Sequence, residues 1–239
     1  MRWSLLLALA PGCEQPCVGV GCEEDFGAAR LNLIMGNELP VSGVVEPSEN
    51  SMSLQGTEVE GPDWDVAIEQ GHIIVGSPSD RSVRTFGLEP NQEADTSQAD
   101  GRIIGAHDGD AFGAQVATIQ DANGDYDLLV SAPLHSVSAS SRHDGAVYRF
   151  SGMGQGFTGA FDTLNAALRV TGEDSGGRFG SSIAACPDLD GDGAEEWLSA
   201  TTRANTGAEM AGAVTLFRSQ DLADAAPQIG RNAVSTTWT

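Results

Sequence analysis

Asp188, Asp190 and Asp192 occupy alternate positions, and Glu196 follows them within the same nine-residue stretch. Four carboxylates this close repel one another unless a cation neutralises them. Alternate acids in a tight turn converge on one point. Gly191 and Gly193, interleaved with them, let the backbone take turn geometry that a residue with a Cβ resists. Such an all-oxygen set suits a hard ion with a flexible shell of about six to eight ligands, which points to calcium. The carbonyl of Ala194 is an additional candidate ligand. The alternative is a bare, solvated acidic turn. An EF-hand does not fit, because its closing glutamate is missing and β-like residues follow at once.

A second stretch opens in the same way with Asp121, Asn123 and Asp125. It is shorter by two residues, so Asp127 arrives early, and Tyr126 stands where the first loop has a glycine. It reads as a second calcium loop of altered geometry. Nothing comparable points to catalysis. His72, His107, His135 and His143 form no His-x-x-x-His pair. Ser136, His143 and Asp144 are close in sequence, but no Gly-x-Ser-x-Gly turn precedes them. The glycines of Gly152-Met153-Gly154-Gln155-Gly156 lack the lysine and the βαβ setting of a phosphate loop. No catalytic residue, organic cofactor or enzyme activity is expected.

The loops must be held by the elements around them, and these repeat. The first unit runs through Leu54-Gln55-Gly56, Trp64-Asp65, His72 to Pro78 and Ser82 to Phe86. The second has Ile103-Ile104-Gly105, Phe112-Gly113, Asp127 to Pro133 and Gly145 to Phe150. The third has Val170-Thr171-Gly172, Phe179-Gly180, Glu196 to Ala200 and Gly212 to Phe217. The closing Phe86, Phe150 and Phe217 are 64 and 67 residues apart. Val and Ile alternate with small residues, and Gly, Asp, Asn and Pro fill the gaps, so each unit carries about four short strands. Glycine interrupts the apolar runs too often for helices. The fold class is therefore all-β, with one four-stranded antiparallel sheet per unit, stacked as propeller blades. Helix is confined to a turn around Leu164 to Leu168.

Phe-Gly, an acidic loop, Leu-Leu-Val-small-Ala-Pro and Gly-Ala-Val-Tyr-x-Phe, as they stand in the second unit, resemble the FG-GAP repeat of integrin alpha subunits and bacterial surface proteins. The third unit matches in its Phe-Gly, its acidic loop and its Gly-Ala-Val portion, with Thr201 and Thr202 in place of the proline region. The first unit has Trp64-Asp65 where Phe-Gly is usual and lacks the acidic loop. The resemblance covers about residues 52–218. It implies a propeller of about seven blades used in adhesion or protein recognition, with calcium in loops of some blades. It also implies that Glu196 replaces a final aspartate.

The chain divides into 1–13, an export segment; 14–51, a Cys- and Gly-containing stretch and partial blade; units 52–101, 102–168 and 169–226; and 227–239, a further unit's start or a tail. About 65 residues per blade would need about 400 for a full ring, so 239 residues make an incomplete propeller. A fragment of a longer product, self-association and a capped open arc are the three ways to cover the end faces, the first being preferred. Residues 4–10 are short and apolar, and Ala10-Pro11-Gly12-Cys13 resembles a lipobox, which makes Cys13 a candidate lipid anchor. An N-terminal strand is the other reading of this run. Cys17 and Cys22 could close a small disulfide loop, and Cys186 reads as a small buried hydrophobe. No segment is long enough to span a membrane. The net charge of -22 excludes nucleic acid as a partner. The expected function is an extracytoplasmic calcium-binding module, secreted or anchored to a bacterial envelope, that recognises a protein or surface glycan. The alternative is a structural segment of a larger secreted protein or enzyme.

Overall fold

The structure is a computed structural model that describes residues 7–9, 30–34, 51–55, 63–88, 93–204, 211–222, 227–231 and 236–238. In chain order, the first seven strands are β1 (Leu7–Leu9), β2 (Arg30–Ile34), β3 (Ser51–Gln55), β4 (Asp65–Glu69), β5 (His72–Ser77), β6 (Ser82–Gly87) and β7 (Glu93–Asp95). The next six are β8 (Gly101–Ile104), β9 (Val116–Gln120), β10 (Tyr126–Ala132), β11 (Ala146–Phe150), β12 (Gly159–Asp162) and β13 (Leu168–Thr171). The last five are β14 (Phe179–Cys186), β15 (Glu196–Thr201), β16 (Ala213–Phe217), β17 (Gln228–Gly230) and β18 (Thr236–Trp238). The only helical turns among the described residues are two 3-10 turns, Thr163–Asn165 and Thr96–Gln98, and a single α turn, Ser219–Leu222. The first of these falls at the start of the turn expected there.

The chain forms two compact units. The smaller one, residues 1–62 and 88–99, holds sheet I, ordered β1-β2-β3-β7. Its first three strands run antiparallel, and β7 lies parallel to β3. Leu7–Leu9, inside the apolar run expected to direct export, pair with Leu31–Leu33. Residues 10–29, and with them Cys13, Cys17 and Cys22, lie outside the described residues.

The larger unit holds three sheets, none closed into a barrel: sheet II, ordered β4-β5-β6-β8-β12; sheet III, β9-β10-β11-β13-β17; and sheet IV, β14-β15-β16-β18. In each, four strands form an antiparallel meander, as expected of blades. The strand that opens each sequence unit belongs to the preceding sheet. Ile103 and Ile104 are in sheet II, and Val170 and Thr171 are in sheet III. Each sheet thus takes three strands from one unit and one from the next. A fifth strand straps neighbouring sheets together. The β12 segment leaves the third strand of sheet III, runs parallel along the outer edge of sheet II, then returns to make β13. The β17 segment does the same from sheet IV onto sheet III. These straps cover edges whose unpaired N–H and C=O groups would otherwise invite other strands.

Alternation along the strands gives each sheet two apolar faces. Ile74, Val83 and Ile103 of sheet II pack beneath Phe112, Tyr148 and Phe150 of sheet III. Leu129, Val147 and Val170 on the other face of sheet III pack beneath Phe179, Trp197 and Phe217 of sheet IV. Trp197 stacks on Phe217 with ring centroids 4.0 Å apart, and Phe179 meets Phe217 edge-on. Contacts of this kind add about 0.5–1.5 kcal/mol beyond area burial.

The Phe-Gly pairs set the spacing between sheets. Gly113 has φ +91°, and a Cβ there would lie 2.6 Å from the Ser82 carbonyl oxygen on the neighbouring sheet. Gly180, at φ +83°, approaches Ala146 and Ser131 in the same way. Gly113→Ala should therefore lower stability by at least about 2 kcal/mol, because it adds both a left-handed penalty and a clash with backbone; urea unfolding checks this. Where the first unit has Trp64-Asp65, Trp64 is buried and Asp65 accepts the Val116 N–H at 2.7 Å, tying β4 to β9. Burial raises the Asp65 carboxyl above its usual range, and the Val116 bond only partly offsets this. A raised carboxyl binds its proton more tightly folded than unfolded, so its contribution is present below the unfolded pKa and lost as pH rises through the folded one. Asp65→Asn keeps an acceptor for Val116 and carries no charge to desolvate. Its urea midpoint should exceed that of the parent at pH 7 and converge with it near about pH 3.

Candidate metal site

The candidate ligands sit on the hairpin connection of sheet IV, between β14 and β15. Asp188 begins the turn by accepting the Gly191 N–H at 2.7 Å and the Gly193 N–H at 2.9 Å. These bonds, Gly191 first, hold its carboxyl below the usual range. Asp190 accepts the Asp192 N–H at 3.3 Å, and Asp192 accepts the Ala194 N–H at 2.8 Å. Asp188 thus folds the loop with both of its oxygens, and Asp190 and Asp192 with Oδ1 alone. Glu196 is the first residue of β15, in register with Cys186. Its Oε2 accepts the Leu189 N–H at 2.6 Å.

One carboxylate oxygen from each of Asp188, Asp190, Asp192 and Glu196 lies within 4.8 Å of all the others. Among the described residues this is the one place where three or more acidic, histidine or cysteine side chains converge in this way. The three aspartates are exposed and Glu196 is fully buried. Glu196 Oε1 has no hydrogen-bond partner. Burial pushes the Glu196 carboxyl up, the Leu189 bond opposes this, and the charges of Asp190, Asp192 and Asp188 push it further up. A buried, unpartnered carboxylate oxygen facing three acids is costly as it stands and is relieved by a cation. Ala194 is buried at the exit of the loop.

The other acidic loop is organised differently. Asp121 accepts the N–H groups of Asn123 and Asp125, each at 2.9 Å, and the Asn123 side-chain amide at 3.2 Å. Its partial burial raises the carboxyl, but the Asn123 side chain and these N–H groups outweigh that and hold it low. Asp127 does not join Asp121 and Asp125. It lies in β10 opposite Ile119, buried, with its oxygens bound by Arg149 Nε and the Gly152 N–H. The two-residue shortening places it in the strand rather than in the turn. This loop therefore offers Asp121, Asn123 and Asp125 without a closing carboxylate.

Sequence reasoning missed Glu195. Its N–H donates to the Gln120 carbonyl at 2.8 Å, and its Oε2 accepts the Gln120 N–H at 2.9 Å. Ser219 Oγ donates to its carbonyl at 2.8 Å. Glu195 thus fastens the acidic loop of sheet IV to β9 of sheet III. The signal was the Glu-Glu pair: two neighbours entering a strand must face opposite sides, so only one can point into the loop. Cys186 is half-buried, and burial, then Glu196 and Glu195, push its thiol up.

The remaining polar candidates stand apart from this loop. His135 Nδ1 meets Asp110 Oδ2 at 2.7 Å, between the turn after β10 and the segment before β9. Ser136 Oγ accepts the His143 backbone N–H, and Asp144 accepts the Val137 N–H. Ser136, His143 and Asp144 are thereby used to shape their own loop.

No protein-family model matches the chain. Over 155 residues, 62% of the chain, it is 31% identical to integrin alpha-4 of Xenopus laevis. The chain spans 14% of the length of that relative. The similarity points to an integrin-alpha-like relationship, in line with the repeated Phe-Gly units. Among the described residues no helix is long and apolar enough to cross a membrane.

Glu196→Gln keeps an acceptor for Leu189 and removes the buried charge. Without divalent ions the variant should be more stable than the parent, by about 1 kcal/mol. With ions it should lose the stabilisation that the parent gains. Thermal melts in chelator and in millimolar calcium check both halves.

Proposed function

We propose that this protein is an extracytoplasmic calcium-binding module of the FG-GAP type that serves adhesion or protein recognition. The observation that carries the calcium reading is the convergence of Asp188, Asp190, Asp192 and Glu196 around a buried oxygen of Glu196 that lacks a partner. All four donors are hard oxygens on a loop that its own N–H groups already hold in place. Such a set favours calcium over soft metals, and an adaptable turn favours it over magnesium, which demands strict octahedral geometry. The Ala194 carbonyl and water would complete the shell. The Asp121 loop would bind second and more weakly, since Asp127 is committed elsewhere.

Recognition of a protein or surface glycan is supported by the integrin-like similarity and by the acidic surface, which disfavours nucleic acid. The exposed Ser136 to His143 loop is the candidate contact region. We assign the protein no catalytic role, and we place it outside the cytoplasm, either secreted or held by lipid at Cys13.

Titration calorimetry on the full chain tests the metal reading. Calcium should bind with a dissociation constant on the order of 10⁻⁴ to 10⁻³ M, the range of extracellular modules. Asp190→Ala should abolish the stronger site and leave any weaker one. A strongest site unchanged by Asp190→Ala, or no binding at millimolar calcium, would overturn the assignment.

A further inference from the structure

Arginines of the larger unit find carboxylates even at its surface: Arg81 meets Asp108 at 3.0 Å, and Arg218 meets Asp221 at 3.1 Å. With 34 acids in the chain against 12 basic residues, such partners are plentiful. Arg142, Arg178 and Arg203 nevertheless have none among the described residues. These three stand together. Arg142 lies in the connection from β10 to β11, Arg178 immediately before β14, and Arg203 in the connection from β15 to β16. The Arg142 N–H donates to Ser175 Oγ at 3.0 Å, and its carbonyl accepts the Gly176 N–H at 2.5 Å. The Arg178 N–H donates to the His143 carbonyl at 2.9 Å, and the Arg203 N–H to the Gly177 carbonyl at 3.2 Å. Three loops are thus joined around residues 175–178. The acids nearby are engaged elsewhere. Asp174 pairs with Arg231 at 2.8 Å, buried Asp144 accepts the Val137 N–H, and Glu173 lies against Gly230. The fold itself does not call for an arginine before β14. Ala111 holds the same place before Phe112, with a left-handed φ of +56° against +58° at Arg178.

We propose that Arg142, Arg178 and Arg203 form a binding surface for an acidic polysaccharide whose charges are uronate carboxylates. A guanidinium fork holds a carboxylate through two parallel bonds. Three such forks on joined loops match carboxylates that recur along a sugar chain. The exposed hydroxyls of Ser136, Ser138 and Ser140 suit sugar hydroxyls, since each can both donate and accept. A protein partner fits less well. Protein interfaces centre on buried aromatic and apolar anchors, and Val137 is the one large apolar side chain exposed on these loops among the described residues. The acidity of the chain does not forbid an anion here. Arg178 and the acidic loop of sheet IV flank opposite ends of β14, whose eight residues span about 25 Å. That is about three times the screening length at physiological salt, so the aspartates there act only weakly at the arginines. The assignment rests on the reading of the Ser136 to His143 loop as a contact region and does not depend on the cation.

Fluorescence anisotropy of a labelled octagalacturonate, titrated with the full chain in chelator, tests the proposal. Binding should saturate and should weaken as salt is raised. Arg142→Ala and Arg178→Ala should each weaken it by about tenfold, the loss of one charged hydrogen-bonding group. Arg218→Ala, beside Ser219 and Glu195 at the acidic end of sheet IV, should leave it unchanged. Arg178→Ala places at that turn the residue that Ala111 already supplies before Phe112, so it should keep the urea midpoint of the parent, and it decides the matter should Arg142→Ala fold poorly. No binding of the octagalacturonate overturns the proposal, as does binding that a folded Arg178→Ala leaves unchanged. A glutamate octapeptide bound as tightly through the same arginines would make an acidic protein segment the occupant. A sulfated oligosaccharide bound in preference would make sulfate the ligand group. Either result overturns the uronate assignment. Because chelator is present throughout, a failed calcium titration would leave these outcomes as they stand.

Discussion

The distance between successive sheets is the constraint on which the rest of the larger unit depends. Aromatic rings of one sheet lie on aliphatic side chains of the one before, and the ring-bearing strand must still bring its backbone close to the neighbour. A side chain at Gly113 or Gly180 would collide with that neighbour. The phenylalanine fills the gap and the glycine next to it permits the approach, so the pair acts as one device. Once the spacing is fixed, the inner strands β4, β9 and β14 fall side by side. Their exposed N–H groups can then be satisfied across the gap, by Asp65 at Val116 and by Glu195 at Gln120. The edge straps β12 and β17 close the outer side of the same interfaces.

The acidic loop of sheet IV inherits its geometry from this packing. Trp197 is pinned beneath the ring of Phe217, which fixes the start of β15. Strand alternation then obliges Glu196 to face away from Trp197, and the preceding turn wraps back over it through the Leu189 N–H. The carboxylate is thus held by the core, not by its own flexibility. Three aspartates gather around it because their backbone bonds close the turn. A site arranged in this way costs little reorganisation when an ion enters, which is the physical basis for reading it as a metal site rather than a frayed acidic tip.

Much of this was legible in the sequence, and the exceptions have definite causes. The alternation of Val and Ile with small residues gave the strands, and the recurrence of Phe-Gly and Gly-Ala-Val gave the sheets. Which sheet the opening strand of a unit joins was not legible, because Ile103 and Val170 carry the same pattern whichever neighbour they pair with. The strap β12 was hidden for a related reason. Gly159 to Asp162 form a parallel pair with a strand almost sixty residues earlier, and no local feature marks that partner. Asp188, Asp190, Asp192 and Glu196 converge as their spacing suggested. Asp127 resembled a ligand by type and position, but a strand residue two places early obeys the period of the strand and not that of the turn.

The difference between the two acidic loops is finally one of charge compensation. All 12 basic residues of this chain are arginines, against 34 acids, so internal cations are scarce. Several of the less exposed acids pair with an arginine, Asp127 with Arg149, Asp80 with Arg84 and Arg102, and Asp174 with Arg231, while buried Asp144 accepts the Val137 N–H. A guanidinium stays charged at any relevant pH and offers directed donors, so these pairs are permanent parts of the fold. Glu196 is as deeply buried as Asp127, yet no arginine among the described residues pairs with it, nor with Asp188 or Asp192. Asp127 is thus compensated from within the fold, while Glu196 keeps a buried oxygen without a partner. A cation held by that loop would act beside the junction of sheets III and IV, which Glu195 and Gln120 fasten.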